Sequence, residues 1–251
     1  MSGNVPLNIG SEALQRYDKQ PRKVTPEYIS AELARCKTMP EYFIRRYAKI
    51  YDNDTRSWIP FELWDAQVPL VHAFAYEKRV VVLKARQLGI TWLALAVILW
   101  DSLFNAIAET LCFSQGDKDA MALVGDQRLK GMIGQLPEWM TPELAIRGNN
   151  EHEIRLLNGS GVQALPENRG GDSHTVTRVF IDEADLTDDL ATLITRAEPT
   201  LGSRGQFIII GRANKDKSNS YFKQLYKTGR TANDKGWKSY FLPWSAHPGR
   251  T

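Results

Sequence analysis

Two stretches carry residues whose types and spacing could do chemistry. Val179-Phe180-Ile181 is a buried-strand pattern that runs into two adjacent carboxylates, Asp182-Glu183. Far upstream, a β-branched run from Arg79 enters Lys84-Ala85-Arg86-Gln87-Leu88-Gly89-Ile90-Thr91 and leaves through Trp92 as an apolar, helix-like segment to Leu103. Strand, short glycine-containing turn and helix form the setting in which backbone N–H groups and a helix N-terminus cradle phosphate. The standard phosphate loop reads G-x-x-x-x-G-K-[ST]. Gly89 and Thr91 fit it, whereas Lys84 stands where the first glycine would be and Ile90 where the lysine would be.

Taken together, the two stretches point to nucleotide hydrolysis. Such a reaction needs one carboxylate to hold Mg²⁺, directly or through water, and another to orient the attacking water. Successive residues at a strand end point in different directions and can divide those jobs. Asp182 is assigned to the metal and Glu183 to the water. Thr91 is placed to offer its hydroxyl to Mg²⁺, and the backbone around Leu88 to Thr91 to meet the β-phosphate. Ile90 cannot supply a cation for the γ-phosphate, so Lys84 and Arg86 are the candidates. Each has a plainer reading: Lys84 ending its strand in solvent, Arg86 paired structurally with Asp182 or Glu183.

The elements that must position these groups can be read from pattern. Thr25-Pro26-Glu27 starts a helix, and a second helix is expected over Met39 to Ile50. Leu63 to Glu77 is helical, with Pro69 kinking it or marking its boundary. Short strands are expected at Thr110–Ser114, Thr177–Ile181, Gln206–Gly211 and Lys238–Leu242, with a hairpin around Asn158-Gly159-Ser160. A helix capped at Gly116 should run to about Ile133, with further helices to Glu198 and over Ser218–Thr228. Strands alternating with helices imply an α/β domain with a mainly parallel central sheet flanked by helices. Ligands of such a sheet sit at the carboxyl ends of its strands, where the Lys84 loop, Ser114-Gln115, Asp182-Glu183 and Gly211-Arg212 all fall.

The bulk numbers bound the rest. A chain of 251 residues can bury one substantial core with a small appended subdomain. The net charge of +3 is too mild to argue for nucleic acid by itself, and its basic clusters read as solvated surface. Cys36 and Cys112 have no metal-ligand neighbours, no apolar run is long enough to span a bilayer, and residues 1–20 lack an apolar signal segment. A soluble intracellular protein is expected.

At these residues the chain resembles the ATPase domain of the large terminase subunit of tailed double-stranded DNA bacteriophages. That family commonly carries a rearranged loop, [KS]-x-R-Q-x-G-x-[ST], which Lys84 to Thr91 matches throughout. The resemblance implies a P-loop NTPase of the ASCE, RecA-like type that uses ATP and Mg²⁺ to drive double-stranded DNA into a procapsid. Ile59-Pro60-Phe61-Glu62-Leu63-Trp64-Asp65-Ala66-Gln67 looks like the family's adenine-recognition segment, with Gln67 as the base-reading amide. Arg169, in a loop before the acidic motif, could act as a finger on the ATP of a neighbouring subunit; in small GTPases such an arginine supplies about 10³–10⁵ in rate. Ile208 to Asn214 resembles the motif that couples hydrolysis to movement. The family usually shows Ser or Thr where this chain has Gly211 and Arg212, leaving Asn214 as the polar member expected to sense phosphate.

The resemblance covers about residues 40 to 245. It implies an arm and helical subdomain over residues 1–58 and the ATPase core over 59–251. Its partners would be double-stranded DNA, a portal protein, a small terminase subunit and further copies in a ring, in the cytoplasm of an infected bacterium. The family's C-terminal nuclease has no counterpart: after Asn214 only 37 residues remain, with Asp216 and Asp234 the only carboxylates. The nuclease is expected elsewhere on a longer natural polypeptide. Asp182-Glu183-Ala184-Asp185 also spells a helicase signature, but the lysine before the loop hydroxyl and a second similar domain are missing. A nucleotide-binding assembly module that does not hydrolyse is the non-enzymatic alternative.

Overall fold

The computed structural model describes residues 24–141, 147–168 and 175–250. The expected N-terminal arm and Arg169 lie outside them. Helices α1 (Pro26–Thr38) and α2 (Pro40–Tyr47) lead to a hairpin of β1 (Lys49–Asp52) and β2 (Ser57–Pro60). There follow α3 (Val68–Tyr76), β3 (Arg79–Lys84), α4 (Ile90–Phe104), β4 (Glu109–Ser114), α5 (Asp117–Val124) and α6 (Leu129–Gly134). The strands β5 (Arg147–Asn150), β6 (Glu153–Arg155), β7 (Gly161–Pro166) and β8 (Val176–Ile181) come next. The chain continues through α7 (Leu190–Ala197), β9 (Leu201–Gly211), α8 (Tyr221–Thr228) and β10 (Trp237–Leu242).

One sheet gathers eight of these strands in the order β10-β3-β9-β8-β4-β7-β6-β5. From β10 to β7 every pairing is parallel, and β6 and β5 add an antiparallel edge. Parallel strands covered on both faces read as unbroken apolar runs, as these do. Alternation then sorts them. Val80, Val82, Cys112, Phe180, Ile208 and Ile210 face one apolar layer; Val81, Phe113, Val179, Ile181, Phe207 and Ile209 face the other. The first layer is filled by α1 to α6, the second by α7 and α8. Cys36, Phe43 and Ile44 of α1 and α2 are fully buried in that first layer, so these helices pack directly onto the sheet domain.

Helix α4 is apolar all round, and every residue from Leu93 to Trp100 is buried. Among the described residues no helix is long and apolar enough to cross a membrane. Pro69 lies in the first turn of α3 and marks its start rather than a kink. Two expectations give way. The second helix stops at Tyr47, because Lys49–Asp52 pairs with Ser57–Pro60 around a turn that Asp52 caps through Asp54 N–H and the Thr55 hydroxyl. The helix from Gly116 breaks at Gly125, whose extended backbone separates α5 from α6.

Candidate active site

Because β10, β3, β9, β8 and β4 run parallel, the segments after each of them emerge at one edge of the sheet. The order places β9 between the strand that leads to the loop and the strand that leads to the carboxylates. The tip of β9 is therefore next to both.

The loop's shape comes from two left-handed residues. Gln87 has φ 58° and Gly89 φ 68°. A Cβ on Gly89 would also lie 3.1 Å from Gln67 Nε2, so a side chain there would meet both backbone strain and a tight contact. The first bond into α4 runs from Leu93 N–H to the Gly89 carbonyl at 2.9 Å. Ile90, Thr91 and Trp92 thus present N–H groups without intrahelical acceptors at the helix mouth, the arrangement that receives phosphate. Ala85 N–H does not join them, since it donates to Leu242 O at 3.0 Å. Leu88 is buried, while Arg86 and Gln87 are exposed.

Lys84 is 9% exposed and its Nζ lies 2.8 Å from Glu183 Oε1. The plainer reading of Lys84 as a solvated strand end is excluded by that burial. Arg86 has no recorded ion pair with Asp182 or Glu183, so its structural reading is not met either. Ile90 is 1% exposed and packs in the core. The position that bears lysine in the standard loop therefore points away from any phosphate here.

Thr91 Oγ1 stands 3.2 Å from each oxygen of Asp182. Burial pushes the Asp182 carboxyl up to about 6, with Lys84 opposing and the Glu183 charge adding to the rise. Glu183 adopts φ 49°, a conformation costly for a residue with a Cβ. Its Oε2 is buried without a hydrogen-bond partner. These groups fit Mg²⁺ and a nucleoside triphosphate: a hydroxyl and a carboxylate for the metal, free N–H groups and Lys84 for the phosphates, and, for water, a carboxylate oxygen that makes no hydrogen bond. Among the described residues no cluster of three or more His, Cys, Asp or Glu could hold a metal. A metal held by Thr91 and Asp182 would take its remaining oxygens from substrate and solvent, as Mg²⁺ commonly does.

Gln67 is placed differently from a base reader in open solvent. It is 1% exposed, accepts from Trp64 N–H at 3.1 Å and donates to Leu88 O at 2.9 Å. It braces the loop against the segment before α3, leaving one donor and one lone pair. Trp92 packs edge-on against Trp58 with ring centroids 6.1 Å apart. Asn214 makes no recorded contact with the carboxylates: its Oδ1 accepts from Asp216 N–H at 3.0 Å, and its own N–H donates to Asp185 at 2.6 Å.

Two arginines join the site: Arg212, which the sequence placed at the ligand end of its strand without a role, and Arg128, which it did not single out. Arg212 Nε lies 3.4 Å from Glu183 Oε2. Arg128 sits 4.9 Å over the Trp92 ring, and its burial, which lowers its pKa, is opposed by the Asp182 charge. No local signal marks Arg128, which reaches the site from the start of α6. Arg212 follows a buried strand that shares the sheet with β8, and that placement was the available clue.

Buried parallel strands with a phosphate loop after one and paired carboxylates after another define a P-loop α/β domain. Solved structures share this fold. The ATPase domain of the Thermus phage P74-26 large terminase is 15% identical at a TM-score of 0.58, over 74% of this chain and 83% of that one. The large terminase of bacteriophage HK97 is 16% identical at a TM-score of 0.64, over 82% of this chain and 43% of that one. The large terminase of a thermophilic bacteriophage, in complex with ATP-γ-S, is 9% identical at a TM-score of 0.52, over 76% of this chain and 47% of that one. The chain spans less than half the length of the latter two. No family model and no curated protein sequence matches it.

Proposed function

We propose that this chain is an Mg²⁺-dependent ATPase and the motor domain of a large terminase that moves double-stranded DNA into a procapsid. The observation that carries the hydrolase reading is the pairing of Thr91 with Asp182 beside the Lys84–Glu183 contact, all at the mouth of α4. Bound Mg²⁺ would neutralise charge on the phosphates. Lys84 takes the γ-phosphate role that Ile90 cannot fill, Asp182 and Thr91 hold the metal, and Glu183 orients water through Oε2. The N–H groups of Ile90 to Trp92 bind phosphate oxygens.

The turn that bears the carboxylates is tied to the segment after β9. Asp185 accepts from Asn214 N–H, and Lys223 Nζ lies 3.8 Å from Asp185 while donating to Asn214 O at 2.5 Å. A change at the carboxylates would reach residues 212–223 through these contacts, which is what supports the reading that hydrolysis is coupled to movement. Partners that follow from the motor reading are DNA, a portal, a small terminase subunit and further copies in a ring, with Arg169 supplied to a neighbour's ATP. The setting would be the cytoplasm of an infected bacterium.

The test is steady-state ATP hydrolysis with and without double-stranded DNA. Lys84→Ala and Glu183→Gln should each lower kcat by at least about 100-fold. Ile90→Val should leave kcat within about threefold, since it shortens a core side chain at a cost of about 0.5–1.5 kcal/mol. Nucleotide binding by a wild type that never hydrolyses would leave the assembly-module reading standing instead.

A further inference from the structure

We propose that Arg212 is a positioning residue for Glu183, a role that rests on the hydrolase reading above. Glu183 faces two cations from two strands. Lys84, at the end of β3, holds Oε1 at 2.8 Å, and Arg212, just past β9, stands 3.4 Å from Oε2. Lys84 Nζ has three donors, one of which is engaged by Oε1, and a phosphate would compete with Glu183 for the rest of its charge. When Lys84 turns to phosphate, Arg212 is the cation that remains on Glu183 among its recorded ion pairs. A guanidinium is permanently charged and planar, so it favours one direction of a carboxylate beside it.

The backbone makes this placement rigid. Gly211 approaches the carboxylate turn so closely that a Cβ there would lie 3.2 Å from the backbone nitrogens of Ala184 and Asp185. Ala184 N–H donates to Ile210 O at 2.9 Å, locking the same turn to the tip of β9. Arg212 is thus held in register with Glu183 by main chain on both sides. Its side chain is 30% exposed, as is that of Glu183, so the pair sits at the rim of the site and can follow the tip of β9. Because β9 continues into the segment clamped by Asp185, displacement of that segment would re-aim the carboxylate that orients water.

The experiment has two arms on the full chain. In the first, ATP turnover and the affinity for a fluorescent ATP analogue are measured for wild type, Arg212→Ala and Arg212→Lys. Arg212→Ala should lower kcat about 10- to 100-fold with affinity and KM changed less than about threefold, and Arg212→Lys should restore part of kcat. Equal loss of affinity and kcat would make Arg212 a phosphate ligand and overturn the proposal, as would unchanged kcat. In the second arm, unfolding midpoints without nucleotide are compared for Arg212→Ala, Glu183→Ala and the double variant. The double variant should lie about 1–3 °C above the sum of the singles; additivity would overturn the contact. A wild type that does not turn over ATP but shows this coupling would sink the hydrolase reading while leaving the Arg212–Glu183 contact intact.

Discussion

At the residue scale, the site is a small set of charges at odds with its own burial. Asp182 is 7% exposed and its carboxyl titrates near 6 rather than the ordinary 3.8. A carboxyl raised on folding binds a proton in the folded chain that the unfolded chain releases, so between about pH 4 and 6 folding stability grows as pH falls. At pH 8 the buried charge costs stability, and Asp182→Asn should raise the unfolding midpoint of the nucleotide-free chain. That advantage should shrink as pH is lowered to 5, where wild-type Asp182 is itself largely protonated. A constant gap across pH 5 to 8 would place the cost elsewhere. Lys84 shows what the sequence could and could not supply. Its position opening the loop was legible, and so was the unfitness of Ile90 as a phosphate cation. The reason was not: only the packing reveals that Ile90 points into the core.

At the element scale, most strands were legible because strands buried on both faces must be apolar along their length. Val80 to Val82, Val179 to Ile181 and Phe207 to Ile210 leave no other economical reading, and the glycine after the loop fixes where α4 begins. The β1–β2 hairpin was not legible, because Asp52-Asn53-Asp54 serves equally well to end a helix or to turn a strand. Pairings between distant side chains were hidden altogether. Asp101 lies within an otherwise apolar run, yet its carboxylate accepts from buried Arg178 at 2.8 Å, while Arg178 Nε donates to Gln206 at 2.6 Å. This network joins α4, β8 and β9 beneath the site. Asp101→Ala leaves a buried guanidinium with only an amide partner and should destabilise the chain by about 3–5 kcal/mol in urea unfolding. Replacing Asp101 and Arg178 together with apolar residues should cost less than the single change.

At the scale of the whole molecule, segments that precede and follow the sheet strands both reach the loop. Gln67 supports it from the N-terminal side. From the C-terminal side, Arg250 donates to Arg86 O at 3.1 Å and to Gln87 Oε1 at 3.0 Å, and His247 packs against Trp64 with ring centroids 4.5 Å apart. Arg250 therefore lies against Arg86 and Gln87 of the loop, and His247 against the segment that supports it. Arg250→Ala should shift the unfolding midpoint by less than about 2 °C, because the lost bonds are exposed. It should raise amide exchange in residues 86–88 and 244–250 together; faster exchange in only one of the two segments would mean that they are not coupled.

The backbone at Glu183 carries one more implication. A left-handed φ of 49° suits glycine or asparagine better than glutamate. On the hydrolase reading, directed evolution that rewards thermal endurance alone would accept either at this position and silence hydrolysis in doing so. A laboratory lineage hardened in that way would keep the fold and lose the proposed activity, at a residue whose proposed chemistry and observed conformation ask for different amino acids.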